Sequence, residues 1–294
     1  MNILYTSDIH ANPRHLFSLL STAGHKDVDA IIIGGDLIPH NISSPQRVSI
    51  LQSQALYLKN LFLGAIREFK DKKDIPIYLD LSNDDFICNR SILKDQVGDL
   101  FHLLHMEKHP LTDSIDIIGY MNVPPTPFGR KDWEKPDSRM RPYTPGNNIN
   151  LKGCVSSKGI LEDITINPAS DDTIENDLDR LSMIVDRPFI FVSHTPPYGT
   201  PLDVIYNGLH VGSVSVKNFI EKWSMEKKII VSLHGHIHES PDRSGSISTT
   251  INNVKCINPG QGSGTNGVFR YVILRLREDR TPATIEIENT GPFK

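Results

Sequence analysis

The chain has 294 residues, of which 38% are hydrophobic and 22% are charged, and its formal net charge is −4. This composition allows a sizeable buried core and argues against a nucleic-acid-binding protein that relies on a broad basic surface. The three cysteines are widely spaced, the N-terminus lacks the pattern of a signal peptide, and no apolar run is long enough to cross a membrane. We therefore expect a protein of the reducing cytoplasm with one large α/β domain or two small ones.

Short apolar runs rich in Ile and Val predict six buried strands. These runs lie at residues 2–7, 30–35, 75–82, 115–120, 188–194 and 228–235. The spacing of apolar residues predicts helices at residues 45–70, 91–104, 173–185 and 215–226. Such alternation is typical of a layered α/β fold. Period-two alternation without intervening helices predicts antiparallel strands, and hence mixed sheets, from residues 248–260, 267–279 and 283–289.

Residues 121–150 interrupt this rhythm, because they contain six prolines and no clear period. A long segment without regular structure is commonly a lid or a binding loop, so we expect this one to fold over the functional site. Arg130 and Arg141 lie within it and are candidates for clamping a phosphate. The simpler interpretation is that both arginines are only solvated.

A glycine-rich stretch near the end of the chain matches a dinucleotide-binding pattern in spacing alone. Gly262, Gly264 and Gly267 follow the GxGxxG spacing, but a dinucleotide site needs a helix directly after the glycines. The residues that follow here alternate like a strand. We therefore interpret the stretch as a turn.

Polar side chains follow five of the predicted strands, at positions where a buried strand needs none. The carboxyl ends of strands in an open α/β sheet meet at one crevice, so these side chains should converge. Carboxylate oxygens, an amide oxygen and imidazole nitrogens suit divalent metals such as Mn, Fe or Zn, although any one of these residues could instead be a cap or turn former. The residues are Asp8, His10, Asp36, Asn83, Asp84, His194, His236 and His238.

Five sequence blocks, namely SDIH, GGD, an Asn followed by Asp, HTPP and GHIH, occur in this order up to residue 238. Together they resemble the signature of the calcineurin-like metallophosphoesterase superfamily. The resemblance implies a four-layer α/β/β/α sandwich of two mixed sheets. It also implies a single domain over residues 1–294, with the Pro-rich segment at about 121–150 as a lid-like insertion.

The resemblance further implies which residues would bind two divalent metal ions. Asp36 would bridge the two ions. Asp8, His10 and His238 would bind the first ion, and Asn83, His194 and His236 the second. His234 precedes the glycine of the last block, so we interpret it as a strand residue or a supporting residue.

The implied activity is hydrolysis of phosphodiesters or phosphomonoesters by a hydroxide that bridges the two ions. Mn is the expected metal, and Fe, Zn or Ni also suit the ligands. The expected partner is a small phosphate ester, with no membrane and no nucleic acid. Two alternatives remain, namely a non-catalytic metal-binding scaffold of the same fold and a nuclease of the superfamily.

One position departs from the family pattern. Asp84 follows Asn83 where the family usually has His, and Ser82 replaces the usual Gly. An ionised carboxylate only accepts hydrogen bonds and would repel a phosphate, so either the pKa of Asp84 is raised or a proton comes from elsewhere. His40 and His210 are the other candidates for contact with the substrate phosphate.

Overall fold

The computed structural model describes residues 1–39, 47–143, 148–261, 267–278 and 284–291. Seven α-helices lie in this part of the chain: α1 Pro13–His25, α2 Arg47–Tyr57, α3 Leu63–Lys72, α4 Arg90–Lys94, α5 Ile174–Ser182, α6 Val214–Met225 and α7 Ser240–Ser244. The first seven strands are β1 Asn2–Thr6, β2 Ala30–Ile33, β3 Ile77–Leu79, β4 His102–Leu103, β5 Lys108–Pro110, β6 Asp116–Tyr120 and β7 Lys152–Val155. The remaining strands are β8 Glu162–Thr165, β9 Phe189–Ser193, β10 Ile229–Leu233, β11 Ser248–Ile251, β12 Val254–Ile257, β13 Tyr271–Arg277 and β14 Thr284–Gly291.

The strands form two six-stranded mixed sheets and one small hairpin. The first sheet has the order β14-β13-β1-β2-β3-β4, and the second has the order β11-β12-β10-β9-β6-β5. In the first sheet β1, β2, β3 and β4 are parallel. At one edge β13 pairs antiparallel with β1, and β14 pairs antiparallel with β13. In the second sheet β12, β10, β9 and β6 are parallel, and β11 and β5 are antiparallel at the two edges. Strands β7 and β8 pair only with each other.

The central strands are buried on both faces, which explains their unbroken apolar sequences. Along β9, Phe189 and Phe191 pack in a cluster with Phe219 of α6. The alternate residues Ile190 and Val192 belong to a second cluster that also contains residues of the first sheet and of helices α1 and α3. Because successive strand residues face opposite ways, the second sheet lies between α5–α6 and the first sheet. The expected α/β/β/α sandwich of two mixed sheets is therefore confirmed.

The six buried strands predicted from apolar runs are all present, and their ends differ from the prediction by at most three residues. The segment predicted as one helix at 45–70 is described from residue 47. It forms three consecutive helical stretches that end at residue 72, namely α2, a π-helical stretch at Leu58–Phe62 and α3. Helix α1 was not predicted, although Asn12 caps it with its side chain and Pro13 stands at the first turn.

Two expectations about elements were wrong in part. The helix predicted at 91–104 ends at Lys94, because Gly98 has a φ of +89° that a helix cannot contain, and the chain then enters β4. Strand β12 pairs in parallel with β10 as well as in an antiparallel hairpin with β11, so the C-terminal strands are not all antiparallel. The glycines at 262–266 lie outside the described residues, and the chain after them forms β13 rather than a helix.

The Pro-rich segment is attached to the protein by buried side chains. Trp133 is 1% exposed and donates a hydrogen bond from its indole N–H to the carbonyl oxygen of Asp85 over 3.0 Å. The carboxylate of Asp137 accepts hydrogen bonds from the hydroxyl of Ser213 at 2.5 Å and from the backbone N–H of Val214 at 2.8 Å, at the start of α6. Across the described ranges, no helix is long and apolar enough to cross a membrane.

Candidate metal centre

The loops after β1 and β2 are joined by backbone hydrogen bonds. Asp8 N–H donates to the carbonyl of Gly35 at 3.1 Å, and His10 N–H donates to that of Asp36 at 2.9 Å. These bonds continue the pairing of two parallel strands beyond their ends. The loops that carry Asp8, His10 and Asp36 are therefore bonded directly to each other.

The loop after β10 is bonded both to its neighbour in the second sheet and to the loop after β1 of the first sheet. Gly235, which follows β10, donates to the carbonyl of His194 at 2.9 Å, and His236 N–H donates to Asp8 Oδ1 at 3.1 Å. A Cβ on Gly235 would collide with the hydroxyl of Ser7 and would lie 2.6 Å from Asp8 Oδ2. Only glycine therefore allows this approach of the two strand ends.

Four of the proposed ligands have a left-handed backbone. The φ angles are +58° at Asp8, +46° at His10, +51° at Asp36 and +67° at His236. Non-glycine residues rarely adopt this conformation, and its cost is of order 1–3 kcal/mol each when the surrounding structure imposes it. The strain coincides with the positions at which the sequence places metal ligands.

Four side chains form a compact cluster of possible ligand atoms. One atom from each of Asp8, His10, Asp36 and His238 lies within 4.8 Å of the others. His238 Nε2 is 3.1 Å from Asp8 Oδ1 and 3.0 Å from His10 Nε2. Two imidazole nitrogens and a carboxylate oxygen thus point at one small volume, as they do in metal sites.

A second group of side chains adjoins this cluster through Asp36. His194 Nε2 lies 3.3 Å from Asp36 Oδ2 and 3.0 Å from Asn83 Oδ1. The other ring nitrogen of His194 is 2.7 Å from the carbonyl oxygen of Gly34, which only a protonated Nδ1 can satisfy. Nε2 is then the nitrogen that faces Asp36 and Asn83, and it would coordinate a metal ion after losing its proton. A ring held by a carbonyl in this way is common in metal-binding histidines. The ring of His236 lies 5.3 Å from that of His194 between centroids.

The charges within the centre attract one another strongly. Burial would raise the pKa of Asp8, but His238 and His194 lower it to about 2. Burial would lower the pKa values of His194 and His238, but the nearby carboxylates raise both to about 9. Burial lowers the pKa of His236 to about 3. The surroundings therefore favour ionised carboxylates with positive charge beside them.

Asp84 lies at the edge of the centre, between the ligands and the Pro-rich segment. Its backbone N–H donates to Asp36 Oδ1 at 3.0 Å, and its carboxylate is 3.7 Å from His10 Nδ1. Burial and the charge of Asp36 raise the pKa of Asp84 to about 6, which is one of the two alternatives that the departure from the family pattern left open. Arg130 donates from Nη1 to the carbonyl oxygen of Asp84 at 2.5 Å and places Nη2 3.7 Å from its carboxylate.

The other candidate histidines differ in position. His40 lies outside the described residues. The ring of His210 contacts Asp203 at 2.7 Å and Tyr198 at 6.1 Å between centroids, and its contact with the substrate phosphate stays a prediction. Both ring nitrogens of His234 are engaged, one by the carbonyls of residues 193 and 195 and the other by the hydroxyl of Ser232. This agrees with its interpretation as a strand residue.

Asp85 positions the centre, although the sequence analysis gave it no role. Its buried carboxylate accepts backbone N–H hydrogen bonds from Leu37 at 3.0 Å, from Ile38 at 2.9 Å and from Ser82 at 3.0 Å. It thereby joins the loop that carries Asp36 to the loop that carries Asn83. The sequence does contain a signal for it, namely the run of four polar residues after β3 that begins at Ser82 and ends at Asp85.

The donor set fits divalent metal ions. It consists of two carboxylates, one amide oxygen and four imidazoles, without cysteine, which suits metals of intermediate hardness. The orientation of His194 by a carbonyl and the buried, ionised carboxylates are both features of such sites. The side chains of all seven proposed ligands meet in one place, although they come from five separate loops.

Comparison with known proteins agrees with this geometry. None of the curated proteins matches the chain. The TT1561 protein of Thermus thermophilus has a similar fold, with a TM-score of 0.53 and 15% identity over 98% of both chains. A dimetal phosphatase from Danio rerio aligns with a TM-score of 0.51 and 10% identity, over 93% of this chain and 95% of its own. The family model for the calcineurin-like phosphoesterases matches residues 1–240, and the chain therefore belongs to this family of phosphoric ester hydrolases.

Proposed function

We propose that the protein is a phosphoesterase that depends on two divalent metal ions and hydrolyses small phosphate esters, either monoesters or diesters. The observation that carries the proposal is the position of Asp36. Its Oδ2 lies 3.8 Å from His10 Nε2 on one side and 3.3 Å from His194 Nε2 on the other. A carboxylate between two sets of ligands is suited to bridging two ions.

The two ligand sets follow from these contacts. Asp8, His10 and His238 would hold one ion and Asn83, His194 and His236 the other, with Asp36 shared. When bound, two such ions supply Lewis acidity and lower the pKa of a coordinated water, which allows attack on phosphorus at neutral pH. Mn is our first choice, and the same donor types also suit Fe, Zn or Ni.

Arg130 would take over part of the task that the family assigns to the residue after Asn83. Its guanidinium lies against Asp84, where it offsets the negative charge of that side chain next to the phosphate position. It also stacks on Phe86, with Cζ 5.3 Å from the ring centroid, which restricts where its N–H groups point. A fixed guanidinium can donate two parallel hydrogen bonds to phosphate oxygens. Asp84, when protonated, could supply the proton to the leaving oxygen.

The Pro-rich segment would form one wall of the substrate site. Arg130 belongs to it, and Trp133 ties it to the loop after β3 through Asp85. We therefore assign the segment at about 121–150 the role of a lid-like insertion in a single domain over residues 1–294.

The decisive experiment combines metal analysis with a substrate screen. The purified protein would be stripped of metal, reconstituted separately with Mn²⁺, Fe²⁺, Zn²⁺ or Ni²⁺, and tested on nitrophenyl phosphate, bis-nitrophenyl phosphate and cyclic nucleotides. We expect close to two ions per chain and hydrolysis of at least one ester class. Asp36→Asn should lower the content of both ions and reduce kcat/KM by at least about a hundredfold, since metal charge stabilisation supplies several kcal/mol.

The matched control is Asp179→Asn. Asp179 is an exposed aspartate of helix α5, so its substitution removes the same charge away from the centre. Two bound ions without hydrolysis of any ester would identify the protein as a metal-binding scaffold. A protein that binds no ion at saturating Mn²⁺ would contradict the proposal as a whole.

A further inference from the structure

A cavity of about 280 Å³ opens beside the metal centre, with His236 in its wall. One side is formed by the Pro-rich segment, through Pro124, Pro127 and Phe128. The opposite side is formed by residues that precede helix α6, including Tyr206 and Val211. The cavity therefore adjoins the proposed metal centre, because one proposed metal ligand lines it.

The lining of this cavity is mainly apolar and aromatic. Phe128 and Tyr206 in its lining are 56% and 66% exposed, so both rings offer accessible surface to a ligand. Among the described residues no Lys or Arg lines the cavity, and Glu239 contributes a carboxylate. Outside the lining, Arg243 stacks on Tyr206, with Cζ 4.5 Å from the ring centroid. The lining itself offers an uncharged ring a mainly apolar surface.

The volume of the cavity is large enough for an aromatic ring. A cavity of about 150 Å³ is enough to hold a benzene molecule, so this cavity has room for a group of one or two rings. Small-molecule sites typically combine such an apolar pocket with a few polar groups that fix the orientation of the ligand. Here the polar groups would be those of the metal centre.

We propose that this cavity binds an uncharged aromatic group of the phosphate ester, while its phosphate occupies the metal centre. The proposal rests on the proposed function, because the phosphate would be held by the metals. It narrows the substrate class to esters that carry an aryl or planar heterocyclic group close to phosphorus. Esters of small polyols would leave the cavity empty.

The test measures binding of inert phosphonates, so that leaving-group chemistry does not enter. Phenylphosphonate and methylphosphonate carry the same phosphonate head, and only the first carries a ring. Calorimetry on the Mn²⁺-reconstituted protein should give a Kd for phenylphosphonate at least about tenfold below that for methylphosphonate, since aromatic contacts and burial of a ring contribute over 1 kcal/mol.

Phe128→Ala should reduce this ratio of Kd values by roughly two- to tenfold and leave the Kd of methylphosphonate unchanged. The matched control is Phe17→Ala, which removes the same side chain, 55% exposed, from helix α1. Tyr206→Ala provides a second variant on the opposite wall of the cavity and should act in the same direction. Each variant should retain the metal content of the unmodified protein.

The outcomes separate the two proposals. If both phosphonates bind with equal Kd, or if the ratio is the same in Phe128→Ala, Tyr206→Ala and Phe17→Ala, the aromatic site is refuted while the metal-dependent function stands. If neither phosphonate binds to metal-loaded protein, both proposals are overturned. A ratio that falls only in the two cavity variants supports the aromatic site.

Discussion

The metal centre and the Pro-rich segment are held in place in different ways. Each proposed ligand follows a strand of one of the sheets, and backbone hydrogen bonds join the loops directly, as between Asp8 and Gly35. The Pro-rich segment has little regular structure, and it is held both by side chains, chiefly Trp133 and Asp137, and by backbone hydrogen bonds, such as that from Ile174 N–H to the carbonyl of Pro136. The centre is therefore built on the ends of the sheet strands, whereas the segment is attached to the loop after β3 and to the starts of helices α5 and α6.

We expect the strand-end residues to determine the reaction and the Pro-rich segment to determine substrate selectivity. Ligands on strand ends can be kept in place while a loop outside the sheets changes its sequence and shape. Asp85 is the point at which the two regions meet, because its carboxylate holds the loops after β2 and β3 and its carbonyl accepts the hydrogen bond from Trp133. Substitutions in the two regions should accordingly have separable effects.

The largest effect is expected from Asp85→Ala. The substitution leaves three buried backbone N–H groups without their acceptor, and we expect a loss of about 3–5 kcal/mol in the free energy of unfolding. Urea denaturation of the metal-free protein measures it. Asp85→Asn retains one acceptor oxygen and should lose clearly less. Equal stability of Asp85→Ala and the unmodified protein would show that the loops after β2 and β3 hold together without this carboxylate.

The next effect concerns the pH dependence of metal affinity. The pKa values of His194 and His238 are raised to about 9 by the carboxylates beside them, so both rings carry protons below that pH in the absence of metal. A metal ion must displace these protons, and its affinity should rise with pH up to about 9, by up to about tenfold per pH unit for each proton. Zn²⁺ competition with an indicator, corrected for the indicator's own protonation, measures the slope.

His238→Ala provides the control for this slope. Removing one of the two titrating rings should lower the dependence of log affinity on pH by about one proton, even though the affinity itself falls. An unchanged slope would mean that His238 releases no proton when the metal binds.

A smaller effect is expected from Asp137→Ala in the Pro-rich segment. The carboxylate accepts hydrogen bonds from the hydroxyl of Ser213 and from the N–H of Val214, and their loss should reduce the free energy of unfolding by about 2 kcal/mol. Metal content after reconstitution should remain the same. Asp179→Ala on the exposed face of α5 is the control. Loss of the metals in Asp137→Ala would contradict the separation of the two regions.

The smallest effect is expected from Trp133→Phe. This change keeps most of the buried ring but removes the hydrogen bond to Asp85, and we expect a loss of about 1 kcal/mol beyond that of the control. The control is Trp223→Phe, since Trp223 is also buried and its indole N–H has no acceptor among the described residues. If the two variants lose the same stability, the hydrogen bond to Asp85 contributes nothing.

The convergence of the proposed ligands could be predicted from the sequence because each lies within a few residues of an apolar run. Their assignment to two ions came from the family resemblance and stays a prediction. Asp8, Asp36 and His194 are local features of strand ends, and their convergence follows from the geometry of parallel sheets. Asp85 could not be assigned, because two of its three partners are backbone groups in the loop after β2, 47 and 48 residues away along the chain. Likewise, nothing near Arg130 in the sequence indicates that it reaches Asp84.

The wrong expectations about helices and strands have physical causes of the same kind. The Asn-Pro pair at residues 12 and 13 marks the start of α1, but the apolar residues of that helix are interrupted by polar ones and drew no prediction. Strand β12 was expected to be antiparallel because its segment alternates with period two and no helix intervenes, and its parallel pairing with β10 depends on a strand that precedes β11 and α7 in the chain. Gly98 ends a helix that the apolar spacing alone would have continued.

The contact between Gly235 and the hydroxyl of Ser7 joins the two sheets at the metal centre. Since the ligands are divided between the sheets, the separation of the two sheets sets the spacing of one half of the centre from the other. The apolar layer between the sheets, which includes Ile190 and Val231, then acts as a spacer for the ligands. We therefore expect that changes of one methylene in that layer alter the geometry of the centre, although the substituted side chain is not itself a proposed ligand.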